Sequence, residues 1–252
     1  MALFQNGSST APLAKCNEVS LTIAPKNGTM ALPLCIEIPG GRAHEIIPAG
    51  VRLPHKTTQL FSTADAHQLA AEFHIFAGAR PLVRDNIELG RVRIRDVKWA
   101  GAGQPKLEIS FKGSGTGVLT ITAANLDRKR TEMLASITTP VVTADDVRQA
   151  ERDAENAREQ DAWIEAAIDE MLTGYGLLDD AYERYAIAKK KMDFAQKRQY
   201  KQARKRLVKA LNVLPPESTK ESVAELKDAI ATLNGLYIAQ KPLHDAVMAW
   251  YK

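Results

Sequence analysis

Through residues 31 to 139, apolar and polar positions alternate with a period of two. Leu34, Ile36 and Ile38 alternate with Pro33, Cys35 and Glu37, which is the period of a half-buried strand. Pro39-Gly40-Gly41 breaks that run with residues suited to the positive φ of a tight turn. Glu45-Ile46-Ile47 is placed to return as the next strand, and Leu60-Phe61-Ser62-Thr63 and residues 71 to 76 follow. Further runs lie at 89–97, 106–111, 118–123 and 131–138, parted by the Gly-rich stretches at 101–103 and 113–117. About eight short strands in ~110 residues predict a compact antiparallel β-sandwich. Before it, residues 1 to 30 are dominated by Gly, Ser, Thr, Asn and Pro. They read as a flexible N-terminal tail in which only Val19-Ser20-Leu21-Thr22-Ile23 has the pattern of a strand.

At Pro140 to Thr143 the period changes to that of helices. Thr143-Ala144-Asp145-Asp146 resembles a capping box with Asp in place of Glu. The pattern from there to Leu172 has broad charged faces and small apolar positions (Val147, Ala150, Ala154, Ala157), which suits a long exposed helix interrupted by Gly174 and Gly176. Tyr200, Ala203, Leu207, Ala210, Leu211 and Leu214 share one helical face, and Pro215-Pro216 stops that helix. Ser218-Thr219-Lys220-Glu221 reads as a second capping box, followed by the stripe Val223, Leu226, Ile230, Leu233 and Tyr237. The expected fold class is thus β followed by α: a sandwich over 31–139 and a helical bundle of three or four segments over 140–252.

Composition adds bounds. The 252 residues are 45% hydrophobic and 25% charged, with net charge +4, enough for one or two domains with sizeable cores. No apolar run approaches the ~20 residues of a membrane span, and residues 1 to 15 have no apolar signal-peptide core. Cys16 and Cys35, the two cysteines, fit reduced thiols in a cytosol, so a cytoplasmic location is expected. The five histidines have no metal-ligand spacing, no nucleophile elbow is present, and no catalytic constellation emerges. Lys112-Gly113-Ser114-Gly115-Thr116-Gly117 is Gly-rich, but a strand pattern follows it where a phosphate loop needs a helix, so a hairpin turn is expected. No metal and no cofactor is expected, and the chain reads as a binding protein with no enzyme activity.

Residues 189 to 209 carry ten Lys or Arg and the single acid Asp193. This reads as a solvated helix face, with two further uses open: a phosphate-binding surface for nucleic acid or anionic lipid, and a dock for an acidic partner.

Residues 31 onward carry a resemblance. Leu34, Ile36-Glu37, Gly40-Gly41, Leu53-Pro54, Gln59, Phe61-Ser62-Thr63-Ala64, Gln68, His74, Gly78, Arg80, Asp85-Asn86 and Leu89-Gly90 stand at the spacing of the peptide-binding domain of DnaK-type heat-shock chaperones. Asp153-Ala154-Glu155 and Asp161 match that family's long lid helix. The resemblance implies a substrate-binding domain plus helical lid, without the family's ATPase domain. It implies ATP-independent binding of extended hydrophobic segments of unfolded polypeptides, and a separate ATPase or co-chaperone as a further partner. The implied peptide-contacting positions are Ile36, Ile38, Pro39, Phe61, Ser62, Ala64, Ala71, Phe73 and Leu107, with Arg80 and Asp161 as a lid contact. Pro39 stands where the family commonly has Met, and Ala71 where it has a β-branched residue. The polar latch positions match Ala66, Ala102, Tyr175 and Asp179, three of which cannot form the usual contact. The rival readings are an anionic-surface or nucleic-acid binder using 189–209, and a scaffold that keeps the fold without the peptide site.

Overall fold

The structure, a computed structural model, describes residues 12–249. It contains β strands followed by helices and divides into two compact units, Met1–Asn156 and Ala157–Lys252.

The first unit holds two sheets. One is antiparallel throughout, in the order β1(Ala14–Cys16), β10(Glu132–Ile137), β7(Ile87–Arg95), β6(Ala70–Ala77), β3(Leu34–Ile38), β4(Arg42–Ile47). The other runs β11(Val141–Val142), β2(Val19–Ile23), β9(Val118–Asn125), β8(Leu107–Gly113), β5(His55–Phe61), and is mixed because β11 lies parallel to β2. Alternation sets which faces are buried: Leu107, Ile109 and Phe111 of β8 are wholly buried while Glu108 and Ser110 between them are not. Both sheets feed one core, in which Leu34, Ile36, Phe73, Ile75 and Ile94 of the first meet Leu21, Ile23, Leu107, Ile109, Phe111 and Ile121 of the second.

Three expectations are corrected here. The strand pattern at Val19–Ile23 is realised as β2, but β1 and β2 lie inside the fold where a flexible tail was expected: Val19, Leu21 and Ile23 are buried, and β2 pairs with both β9 and β11. Residues 24 to 30 are also described and lead into the core at Met30, which is buried, whereas residues 1 to 11 of the expected tail lie outside the described residues. The boundary between units falls after Asn156, well beyond 139. The first helix, α1(Ala144–Asn156), belongs to the β unit because Val147 sits in its core and Ala150 packs against it. Its capping box is present as read: Thr143 N–H donates to the Asp146 carboxylate at 2.8 Å, and Asp146 N–H to the Thr143 hydroxyl at 3.2 Å.

The helical unit holds α2(Arg158–Ala188), α3(Phe194–Leu211), α4(Lys220–Ala239) and α5(Lys241–Met248). The predicted break at Gly174 and Gly176 does not occur, and the chain breaks instead at Ala157. A Cβ on Gly174 would stand 3.1 Å from the Leu211 side chain and 3.5 Å from that of Leu207, so this glycine serves close packing of α2 on α3. The expected stripe of α3 is buried from Tyr200 to Leu211, whereas Leu214 lies past the helix and is exposed. Tyr185 and Tyr200 stack at 4.0 Å, and the Arg184 guanidinium lies 3.6 Å above the Tyr237 ring. The cap of α4 is Thr219 with Ser222, one residue later than the sequence pattern implied. No helix among the described residues is long and apolar enough to cross a membrane.

Candidate functional site

Six of the predicted binding residues, Ile36, Ile38, Phe61, Ala71, Phe73 and Leu107, share the core cluster fed by β3, β5, β6 and β8. Phe61 ends β5 opposite Leu107, the first residue of β8. Its ring lies 5.0 Å from that of Phe73 on β6, tilted by 54°, so an aromatic contact joins the two sheets here. Ala71 precedes Phe73 by two residues and therefore shares its face of β6. Ile36 and Ile38 share one face of β3, which pairs antiparallel with β6 through Ile36 and Ile75.

Burial sorts the nine residues into three levels. Ile36 and Leu107 are fully buried and Phe73 nearly so, which makes them a floor. Ile38, Phe61 and Ala71 are partly buried and pack against the same core, leaving apolar surface open. Pro39, Ser62 and Ala64 are exposed on the two loops that follow β3 and β5.

Both loops have defined causes. The β3–β4 turn closes through Gly40 (φ 93°) and Gly41 (φ 69°), a left-handed pair that side-chain-bearing residues resist. It is braced from below, since Ala43 N–H donates to the Pro81 carbonyl and Val83 N–H to that of Gly41, each at 2.9 Å. In the loop after β5, Asp65 N–H donates to the Gln68 side chain, whose amide returns a bond to the Asp65 carboxylate. His67 stacks on Trp99 at 4.4 Å, and Gly103 N–H donates to the Thr63 carbonyl at 3.0 Å. Segment 96–103 thus props the loop that carries Ser62 and Ala64. Thr63, absent from the predicted set, is buried at the root of this loop, and its hydroxyl makes no hydrogen bond among the described residues. The run Phe61-Ser62-Thr63-Ala64 identified the place, but the burial of one hydroxyl within it is not a pattern a sequence displays.

The Asp85-Asn86 motif has a structural use. The Asn86 amide donates to the carbonyls of Arg80 and Leu82 at 2.8 and 2.9 Å and accepts from Arg80 N–H at 3.0 Å, closing the loop after β6. Gly78 (φ 146°) leaves room for it, because a Cβ there would run into the Asn86 side chain. Arg80 approaches Asp85 at 3.9 Å. Asp161 is buried in the first turn of α2.

The outward-facing neighbours of the candidate site form an ionic network. His74 Nδ1 lies 2.7 Å from Glu37 and Nε2 3.0 Å from Glu72. Arg93 Nε donates to Glu72 at 2.6 Å, and Arg91 stands 3.5 Å from the same carboxylate. The Glu37 hydrogen bond raises the His74 pKa above its ordinary value of 6.5 despite burial, with Glu72 adding to it. Burial opposes ionisation of Glu72, yet the bonds from His74 and Arg93 together hold its pKa below the ordinary value.

The basic stretch is mostly the solvent face of α3, opposite the buried stripe. Arg206 is held by Glu225 and Asp228 of α4 at 2.6 to 2.8 Å, so part of the charge is neutralised internally. Phe194 at the start of α3 is 81% exposed. Groups of His, Cys, Asp and Glu suited to holding a metal are absent among the described residues.

A profile described as Hsp70 protein matches residues 26–239. The chaperone protein DnaK of Thermoplasma acidophilum is 28% identical over 203 residues, covering 79% of this chain and 32% of that protein. DnaK of Picrophilus torridus is 27% identical over 201 residues (80% and 30%), and DnaK of Mycoplasmoides gallisepticum 30% over 152 residues (60% and 26%). The chain therefore spans at most about a third of the length of these relatives. Two expectations are corrected by these matches. The narrow assignment to a substrate-binding domain and lid, set apart from the ATPase, gives way to the Hsp70 protein family itself, whose chaperones hydrolyse ATP. The reading of the chain as a non-enzyme falls with it, because the matched family is one of ATP-hydrolysing enzymes. With a match that spans most of its length, the chain belongs to the Hsp70 protein family.

Proposed function

We propose that this chain acts as a chaperone by gripping extended apolar stretches of unfolded polypeptide where β3, β5 and β6 meet, with the helical unit serving as a cover. The observation that carries this reading is the graded burial of the site. Ile36, Phe73 and Leu107 form a fixed apolar floor, Ile38, Phe61 and Ala71 offer open apolar surface, and Pro39, Ser62 and Ala64 ride on braced loops at its rim. An extended peptide presents backbone N–H and C=O groups to such loops, while one side chain fills the apolar site. Burying a Leu or Phe side chain there contributes about 1.5–3 kcal/mol. This binding step draws on apolar burial and backbone hydrogen bonds, and consumes no nucleotide. Arg80 and Asp161 are the residues proposed to tie cover to site, by resemblance. A co-chaperone is a proposed further partner. The relatives named as DnaK chaperones support the reading, and the free thiols of Cys16 and Cys35 fit the proposed cytoplasmic location.

The test is photo-crosslinking of an apolar heptapeptide carrying a photoreactive central residue, followed by mass spectrometry. Crosslinks at Ile38, Phe61 or Ala71 are expected. Crosslinks confined to 189–209 overturn the assignment in favour of the basic face.

A further inference from the structure

The residues that alternate with the proposed peptide-contacting side chains are not generic surface. Glu37 lies between Ile36 and Ile38, Glu72 lies between Ala71 and Phe73, and His74 follows Phe73. Side chains on a strand alternate between faces. Glu37, His74 and Glu72 therefore lie directly behind the candidate site on the same two strands, and Arg93 of the neighbouring β7 joins them through Glu72.

We propose that His74 is a positioning residue: as an imidazolium clasped between Glu37 of β3 and Glu72 of β6, it sets the spacing of Ile36 and Ile38 against Ala71 and Phe73, and so links peptide grip to pH. The geometry requires the charged ring. Both nitrogens face carboxylate oxygens, at 2.7 and 3.0 Å. A neutral imidazole has one N–H and one bare lone pair, so only imidazolium can donate to both. Loss of the proton sets a lone pair against a carboxylate and loosens one of the two contacts. Such a loss is felt at β3, because its other neighbour in the sheet, β4, is the edge strand. The charged groups facing His74 are Glu37 from β3, Glu72 from its own strand, and Arg91 and Arg93 from β7, which meet Glu72 at 3.5 and 2.6 Å. The arginines keep Glu72 ionised and engaged when His74 is neutral, so the contact released is the one to Glu37.

The sign follows from the direction of the shift. His74 titrates above 6.5 in the fold, so its contribution is complete below that pH and disappears as pH rises through its raised pKa. Glu72 titrates below its ordinary value of 4.5, so its part is present above that pH and is lost on further acidification. The grip is tightest on the mildly acidic side of neutrality.

This inference rests on the reading above, so the experiment uses two readouts on the full chain. The first is the methyl NMR shifts of Ile36 and Ile38 from pH 5.5 to 8.5, beside the His74 ring signals and without peptide. The second is the affinity for a labelled apolar heptapeptide over the same range. In the wild type, both methyls should titrate with the His74 midpoint, and affinity should fall on the order of threefold to tenfold toward high pH. His74→Gln, which donates from one end only, should flatten both profiles. Glu37→Gln should lower the His74 midpoint. If the methyls ignore the His74 midpoint, the proposal is wrong whether or not peptide binds. Methyls that follow His74 in a protein that binds no peptide uphold the positioning role and reject the peptide reading alone. A pH dependence that survives His74→Gln overturns the assignment to His74.

Discussion

Ala71 concentrates the specificity of the proposed site. It is partly open beside the Phe61–Phe73 contact, where a β-branched side chain would fill about two more methyl groups of volume. The site should therefore favour Phe or Met over Val at the central peptide position. One methylene in an apolar pocket is worth ~1 kcal/mol or somewhat more, so about a tenfold preference is expected. In a peptide series varied only at its centre, Ala71→Val should shift the preference toward smaller residues. Equal preference in both proteins removes Ala71 from the site. At this scale the resemblance names Phe61, Ala71, Phe73 and Leu107 together, and the four share one core cluster. It did not expose their depth. Leu107 and Phe61 are both apolar strand residues, yet one is wholly buried and the other half open. That difference arises from their places in the sheet: Leu107 stands on β8, flanked by β5 and β9, whereas Phe61 stands on the edge strand β5. The clasp of His74 was equally hidden, since Glu37, His74 and Arg93 become neighbours only through strand pairing.

At the scale of elements, period carried most of the reading. Strand pattern locates β3 and β6 to β10, but it meets β4 and β5 only at their C-terminal ends, since β5 runs from His55 to Phe61 and leaves Ser62 and Thr63 outside it. The change to a helical period locates α1 through its cap. Two errors share a cause, which is that composition stood in for packing. Residues 14 to 23 sit among Gly, Ser and Asn and so resembled a tail, but β2 buries Val19, Leu21 and Ile23 against the common core. Leu21→Ala should cost about 2–4 kcal/mol in chemical denaturation. An unchanged midpoint would mean that β2 is detached in solution. Gly174 was read as a helix breaker, although its missing side chain serves the approach of Leu207 and Leu211. The cap of α1 offers a milder check. Thr143→Ala removes the hydroxyl that accepts from Asp146 N–H and should cost about 1 kcal/mol, seen as a lowered melting temperature of the β unit.

At the scale of the molecule, a β unit and a helical unit are joined at Ala157. Asp161→Ala should speed peptide release several-fold in stopped-flow measurements, and an unaltered off-rate removes Asp161 from the proposed set. The solvent face of α3 is the rival surface, with Lys197, Arg198, Lys201, Lys205 and Lys209 on one side of the helix. The two surfaces answer differently to salt. Binding by apolar burial is nearly indifferent to ionic strength, whereas binding by clustered cations releases counterions and weakens steeply as salt rises. The most direct measurement is a titration of wild-type chain and Ala71→Phe with a fluorescent apolar heptapeptide, beside a labelled single-stranded RNA, at low and high salt. Saturable peptide binding that barely changes with salt, and that is lost in a folded Ala71→Phe protein, is the predicted result. Peptide binding that survives Ala71→Phe, or RNA binding that outcompetes the peptide and collapses in salt, would contradict it.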